Sequence, residues 1–446
     1  MLEGFLREIA DKHILLLGFG REGQSSLHFL KKHLPQLRIA VADSTSSTAL
    51  TAAYDSQQVT KVHIGPDYLQ AMDQYDLIFK SPGIPLEPEI WERFSERIIS
   101  QVEIFLKYHS AKVVGITGTK GKSTCASLCH HILEQVGIKT ALLGNIGVPV
   151  LSRFDDISPD CNVIMELSSH QLQALSVSPE IAVFLNLFPE HLDYYPSYQN
   201  YQEAKWNITR FQGANDTLIY NASDSLITAL MNRAGTNAQG RALHAQITAT
   251  ELAKYPALSS IAFKHNFSAA CEVVRLFGVT QEQTLLALET FVSPPHRQQD
   301  LGEVSGVLYI DDSAASIPEA TIAALDAFPR TDVLIAGGLD RGVNLQKLIS
   351  RLHNAKLKHL VLVPETGQRI ASELSNCEYP IHLVDSLQSG AKLARSLCVA
   401  GDICLLSPGA ASYNEFRDFS QRGQVFREVV LSGSNVSQSD SSHYIK

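Results

Sequence analysis

Residues 112–135 read KVVGITGTKGKSTCASLCHHILEQ: a β-rich run, a turn packed with glycine, lysine and hydroxyl residues, and an amphipathic stretch. A turn of this kind between a strand and a helix lets N–H groups at the helix start curl inward around phosphate oxygens. Gly115, Gly118 and Gly121 supply the backbone freedom. Lys122 supplies charge for β- and γ-phosphates, and Ser123 or Thr124 a hydroxyl for Mg²⁺. The strict G-x-x-x-x-G-K-[ST] spacing is missed because Ile116 stands where the first glycine is expected, so the strand-to-helix context carries the assignment against a Gly-rich turn without function.

A second turn, LLLGFGREGQSS, sets Gly18, Gly20 and Gly23 in G-x-G-x-x-G spacing between a strand and a helix, with Asp43 ending the next strand. This is the dinucleotide fingerprint, so an NAD-dependent oxidoreductase is one reading. What the turn offers physically is a place for a pyrophosphate, which a nucleotide-sugar also carries, and the ligand stays open at this point. Further along, Glu166 closes NVIME, Asn186 closes IAVFLN, and His191 and Asp193 follow, at the strand ends where open α/β sheets hold ligands. A carboxylate there can hold a metal that bridges nucleotide phosphates; each residue alone is more readily a cap or a loop polar group, but taken with the phosphate loop of the same block the balance reverses. Asp340 and Arg341 in GGLDRG, and Ser407 and Ser412 in SPGAASYNEF, lie just past two late strands and could anchor a carboxylate.

The elements that position these groups follow from periodicity. Short β-rich runs alternate with helical stretches from end to end, the pattern of parallel sheets flanked by helices. At roughly 150 residues per domain, 446 residues suggest three domains. The blocks are 1–104, a Rossmann-like unit; 105–296, a central P-loop-type unit ending near SPPHR; and 297–431, a Rossmann-like C-terminal unit. Residues 432–446 lack apolar periodicity and read as a mobile tail.

The net charge of -9 argues against nucleic acid and anionic membranes as partners. The seven cysteines are scattered without C-x-x-C spacing and read as free thiols of a reducing compartment. No apolar run reaches membrane-helix length, and the start MLEGFLREIADKH carries acids where a signal peptide is basic, so a cytoplasmic protein without membrane insertion is expected.

GITGTKGKST, GNIG (144–147), MELSSHQL, NLFPEHLDYY, the lysine of YQEAKWNI, PPHR, DDSAAS, GGLDRG and LSPGAASYNEF occur in this order over nearly the whole chain. Together they resemble the Mur ligases. With SPGIP (81–85) and the G-x-G-x-x-G start, the similarity is to the branch that adds D-glutamate. The resemblance implies an ATP-dependent amide ligase of cytoplasmic peptidoglycan synthesis, and so of cell-wall biogenesis, cell shape and division. ATP phosphorylates the terminal carboxylate of UDP-MurNAc-L-alanine, and the amine of D-glutamate attacks the acyl phosphate. A monomer is expected.

Carried over by motif, Gly118, Thr119, Lys120, Gly121, Lys122, Ser123 and Thr124 hold ATP phosphates, and Asn266, Arg297 and Asp312 meet adenine, phosphate and ribose. Ser123, Glu166, His191 and Lys205 hold two Mg²⁺, with Lys205 carrying a carbamate; Lys122, Glu166, His191 and Lys205 are the catalytic set. Gly18, Arg21, Glu22, Ser44, Thr45, Ser81, Asn145 and His191 receive the UDP substrate, and Arg341, Ser412 and Phe419 receive D-glutamate. Two positions depart from the pattern: Lys120 replaces the usual asparagine, and Ala314 replaces a usual lysine, so that either Arg341 or another base substitutes for it or turnover is slower. Another Mur or folylpolyglutamate-type ligase, and a nucleotide-binding module without catalysis, are the remaining alternatives.

Overall fold

The computed structural model describes residues 2–146, 148–192, 194–243, 261–374 and 377–432, and their side chains except those of 261–264. Gly147, Asp193 and, apart from Ser432, the expected tail lie outside the described residues.

The first sheet comprises β1 (Ile14–Leu17), β2 (Ile39–Asp43), β3 (Lys61–Ile64), β4 (Leu77–Lys80) and β5 (Ile98–Ile99), all parallel, in the order β3-β2-β1-β4-β5. β1 is apolar and buried throughout because helices cover both faces of a parallel sheet. Successive strands run outward from β1 on one side and from β4 on the other, so the order reverses between them. The register sets Leu17 beside Ala42 and Lys80, bringing the ends of β1, β2 and β4 together at this switch point.

The second sheet comprises β6 (Lys112–Thr117), β7 (Thr140–Gly144), β8 (Asn162–Glu166), β9 (Ile181–Phe184), β10 (Thr217–Tyr220) and β11 (Gln239–Ala242), parallel, in the order β11-β10-β9-β6-β8-β7. β6 therefore lies between β8 and β9, and all three end on one rim. The two sheets share a compact unit, Met1–His244 and Asn266–Glu289, in which one core cluster runs from the first sheet into the second and another lies on the first sheet's other face. Phe154 joins them, its ring 5.2 Å from Phe29 and 5.6 Å from Phe105 between centroids. Buried Gln101 adds a polar clip, donating from Nε2 to Ser26 Oγ at 2.9 Å while its Oε1 accepts from the Leu151 N–H at 3.4 Å.

The other unit, residues 245–265 and 290–446, carries β12 (Gln299–Val304), β13 (Val307–Asp311), β14 (Val333–Gly338), β15 (His359–Glu365), β16 (Ile381–Leu383) and β17 (Ile403–Leu406). Their order is β12-β13-β17-β14-β15-β16, parallel except for the β12–β13 hairpin. The mixed α/β class read from periodicity is thus realised as three mainly parallel sheets. Three strands escaped that reading: the two-residue β5, the polar exposed edge β11, and β12.

Candidate active site

β6 runs straight into the phosphate-loop turn and the helix Lys122–Gln135. Gly121, the N-cap, has φ +86°, and a Cβ there would overlap the Asn266 side chain. Glycine is needed on both counts, and the contact places Asn266 beside the loop. No side chain caps this helix start, so N–H groups of the first turn face the loop, the arrangement that binds anions. Lys122 folds back, its Nζ donating to the Gly118 and Thr119 carbonyls, each at 3.0 Å.

The loop is braced from β9. The Thr119 and Lys120 N–H groups donate to the Asn186 carbonyl (3.0 Å) and Oδ1 (2.9 Å), and Asn186 Nδ2 returns a bond to the Lys120 carbonyl at 2.9 Å. Lys120 itself pairs with buried Glu190 at 2.7 Å, so its charge is met locally where the family pattern has a neutral asparagine. Burial alone would raise Glu190, but Lys120, His191 and Lys122 outweigh it and hold the carboxyl down to about 2.

Lys205 comes from the helix Tyr198–Arg210, is 1% exposed, and donates to the Gly118 carbonyl at 2.8 Å and to Thr117 Oγ1 at 3.4 Å. Burial, reinforced by Lys122, pushes its amine well below the ordinary lysine value. Glu166, at the end of β8 and 1% exposed, accepts from Asn145 Nδ2 through Oε1 at 2.8 Å. Its Oε2 is buried without a hydrogen-bond partner among the described residues. A buried carboxylate oxygen left unmatched is costly, and a hard cation is a fitting occupant. Ser123 is buried in the first turn of the loop helix. His191 has φ +57°, lies 3.9 Å from Glu190 through Nε2, and stacks edge-on to His170 at 4.7 Å between centroids. Burial lowers both imidazoles, His170 to about 3, so His191 presents a neutral ring.

At the switch point of the first sheet, Gly18 has φ +91°, and Ser81 Oγ donates to its carbonyl at 3.1 Å. A Cβ on Gly23 would overlap the Gly18 carbonyl, so this third glycine permits close helix–strand packing. Asp43, the acid of the fingerprint, has both oxygens engaged: Oδ2 accepts from the Phe19 N–H at 2.8 Å, and Oδ1 from the Thr45 N–H at 3.1 Å and Ser44 Oγ at 3.4 Å. Its carboxylate thus ties the two turns together. Glu22 accepts from Gln171 Nε2 at 2.9 Å, linking this crevice to the second sheet, and Arg21 starts the adjoining helix.

In the other unit, Asp312 accepts from Ser407 Oγ at 2.8 Å and from the Gln298 N–H at 3.2 Å; burial pushes it up to about 7. Arg297 lies over the Phe419 ring at 5.7 Å. His296 Nδ1 meets Asp311 Oδ2 at 2.7 Å, in space a side chain on Gly423 would take. Ser412 is buried, whereas Arg341 is exposed, its neighbour Asp340 being paired with Arg369 at 2.6 Å. Beside Ala314, buried Arg422 spends its guanidinium on Ser313 Oγ, the Ser313 carbonyl and the Ala410 carbonyl.

Residue typing alone missed Lys80, His170, Glu190, Tyr201 and Arg422. Glu190 and His170 stand inside motifs already singled out, next to His191 and Ser169. Tyr201, whose hydroxyl donates to Thr119 Oγ1 at 2.9 Å, carries no local signal.

The family model described as the Mur ligase middle domain matches residues 116–280, and that of the Mur ligase MurD-like N-terminal domain matches residues 12–101. The chain is 31% identical to the UDP-N-acetylmuramoylalanine–D-glutamate ligase of Clostridium acetobutylicum, covering 96% of this chain and 98% of that protein. The enzyme of the same name from Clostridium kluyveri gives the same identity and coverage. Among solved structures, MurF ligase of Thermotoga maritima in complex with ADP aligns with TM-score 0.59 and 16% identity, over 95% of each chain. UDP-N-acetylmuramate-alanine ligase MurC of Thermotoga maritima aligns with TM-score 0.58 and 18% identity, over 95% of this chain and 100% of that one. These two likenesses establish the fold.

Proposed function

The chain belongs to the Mur ligase family, and from that premise we propose that it is an ATP-dependent ligase joining D-glutamate to UDP-N-acetylmuramoyl-L-alanine. The supporting relatives bear the name of that reaction over nearly their whole length. The observation that carries the chemistry is the meeting of Lys122 and Lys205 on the Gly118 carbonyl, at the strand end from which the phosphate-loop helix starts.

A carboxylate is a poor electrophile, and the bound nucleotide with Mg²⁺ supplies a transferable phosphoryl group that makes it a good one. The chain's own residues do the rest. Gly118, Thr119, Gly121 and Thr124 cradle phosphate oxygens, and Lys122 exchanges its two carbonyl partners for them, while Asn266 stands by the loop for the base. Ser123 and the free oxygen of Glu166 suit one cation, and neutral His191 a second. Lys205, whose amine burial biases towards the neutral form, can add CO₂ and lose a proton to become an anionic carbamate, which would suit holding a cation as an ammonium could not. Gly18, Arg21, Glu22, Ser44, Thr45 and Ser81 receive the UDP end and Asn145 the acyl end. Arg297 and Asp312 contact nucleotide, and Arg341, Ser412 and Phe419 take D-glutamate.

In this reading residues 1–104, 105–296 and 297–431 serve the sugar nucleotide, ATP and amino acid respectively, and the enzyme acts as a cytoplasmic monomer. ADP release measured with UDP-MurNAc-L-alanine and D-glutamate, each omitted in turn, tests it. Release that needs both supports the proposal; release that needs neither, or that is satisfied by another amino acid, overturns it.

A further inference from the structure

The first sheet holds a buried cation that the chemistry above does not use. Lys80 closes β4, is 6% exposed, and donates from Nζ to the Ser81 carbonyl at 3.2 Å and the Tyr194 hydroxyl at 3.1 Å, both neutral groups. It forms no ion pair among the described residues. Glu22 is the acid whose charge it feels, and burial raises that carboxyl too. Burial brings Lys80 itself down to about 7. A buried lysine whose hydrogen bonds, among the described residues, go to neutral oxygens is expensive to keep.

Its place in the fold points to an anionic ligand. Lys80 is in register with Leu17, the residue before Gly18, so it ends its strand at the β1–β4 switch point, where open α/β sheets take ligands. The crevice is shaped for close approach. A Cβ on Gly18 would come within 2.8 Å of Ser81 Cβ, and the Tyr194 hydroxyl lies 3.0 Å from the carbonyls of both Pro82 and Ile84, holding the 81–84 turn in position beside Nζ. Asp43 and Glu22 set carboxylates at this crevice, so a dianionic group entering it needs cations, and Lys80 and Arg21 stand there to provide them.

We infer that Lys80 is the cation that receives the diphosphate of the sugar-nucleotide substrate, exchanging a neutral oxygen partner for a phosphate oxygen. The inference rests on the ligase reading and adds to it the residue that makes the site prefer a nucleoside diphosphate over a nucleoside.

Calorimetric titration of UDP and of uridine into the wild type and Lys80→Met tests it, Met keeping the apolar stem without the charge. A charged hydrogen bond lost at a buried site predicts UDP binding weakened about tenfold to a hundredfold with uridine binding unchanged. In turnover, KM for UDP-MurNAc-L-alanine should rise while KM for ATP stays the same. Equal UDP affinity in both proteins overturns the inference, as does a parallel loss of uridine binding, which marks a role in holding the 81–84 turn. If Lys80→Met fails to fold, Lys80→Gln decides on the same criteria. A wild type that releases ADP with both substrates while Lys80→Met binds UDP normally leaves the ligase reading standing and this inference refuted. A wild type that neither binds UDP nor turns over refutes both.

Discussion

The Nζ of Lys205 donates to the Gly118 carbonyl at 2.8 Å across 87 residues of sequence, and Lys122 Nζ approaches the same oxygen to 3.0 Å. Two lysines sharing one carbonyl favour a neutral form for the buried one, and the direction of its shift agrees.

Lys205→Met should therefore separate stability from activity. Removing a buried amine whose charged form is penalised should leave the melting temperature equal or higher at pH 7, while ADP formation falls by about 10²-fold or more. Scanning calorimetry and a coupled ADP assay on one preparation check both; full turnover in Lys205→Met would sink the metal-bridging carbamate. Short carboxylates added to Lys205→Ala should restore part of the rate.

Lys122→Ala should slow ADP formation by roughly 10³-fold, because the phosphoryl group loses its cationic clamp. Its Nζ bonds the Gly118 and Thr119 carbonyls of its own loop, and a thermal melt of the variant separates loss of the clamp from loss of fold. Unchanged single-turnover ADP release would remove the phosphate-loop assignment.

Glu166→Gln keeps the group that accepts from Asn145 and replaces the unpartnered Oε2 with an amide. The Mg²⁺ concentration for half-maximal rate should rise about tenfold or more, with little change in stability without metal. An unaltered Mg²⁺ dependence would place the cation elsewhere.

Asp312 gives a pH signature. Its folded-state pKa of about 7 lies above the ordinary 3.8, so between these values the folded chain binds the extra proton. Stability from this group is complete below about pH 4, falls as pH rises towards 7, and is constant beyond. Asp312→Asn should remove that fall, so its melting temperature relative to wild type should increase from pH 4.5 to pH 8. A difference independent of pH contradicts the buried-acid assignment.

Much of this candidate site is legible in the sequence. Strand-to-helix junctions carry strong local signals, so the two glycine turns are legible from their strand and helix context, and Glu166 at a strand end and His191 after another only when taken together with the phosphate loop of the same block. Lys205 was not; only the resemblance singled it out, because a lysine in an amphipathic helix looks like any solvated one. β5 and β11 were missed for a related reason, being too short or too polar for a period of two to show.

Properties encoded between near neighbours are legible from the chain alone: the α/β alternation, the two glycine turns and the family pattern. Tertiary structure alone decided which charges are buried and what they touch. Lys80 meets Tyr194 across 114 residues and Arg422 meets Ser313 across 109. Whether a lysine is a solvated surface charge or a desolvated amine waiting for an anion depends on the dielectric and partners around it, and these are assembled from segments that chain order keeps far apart.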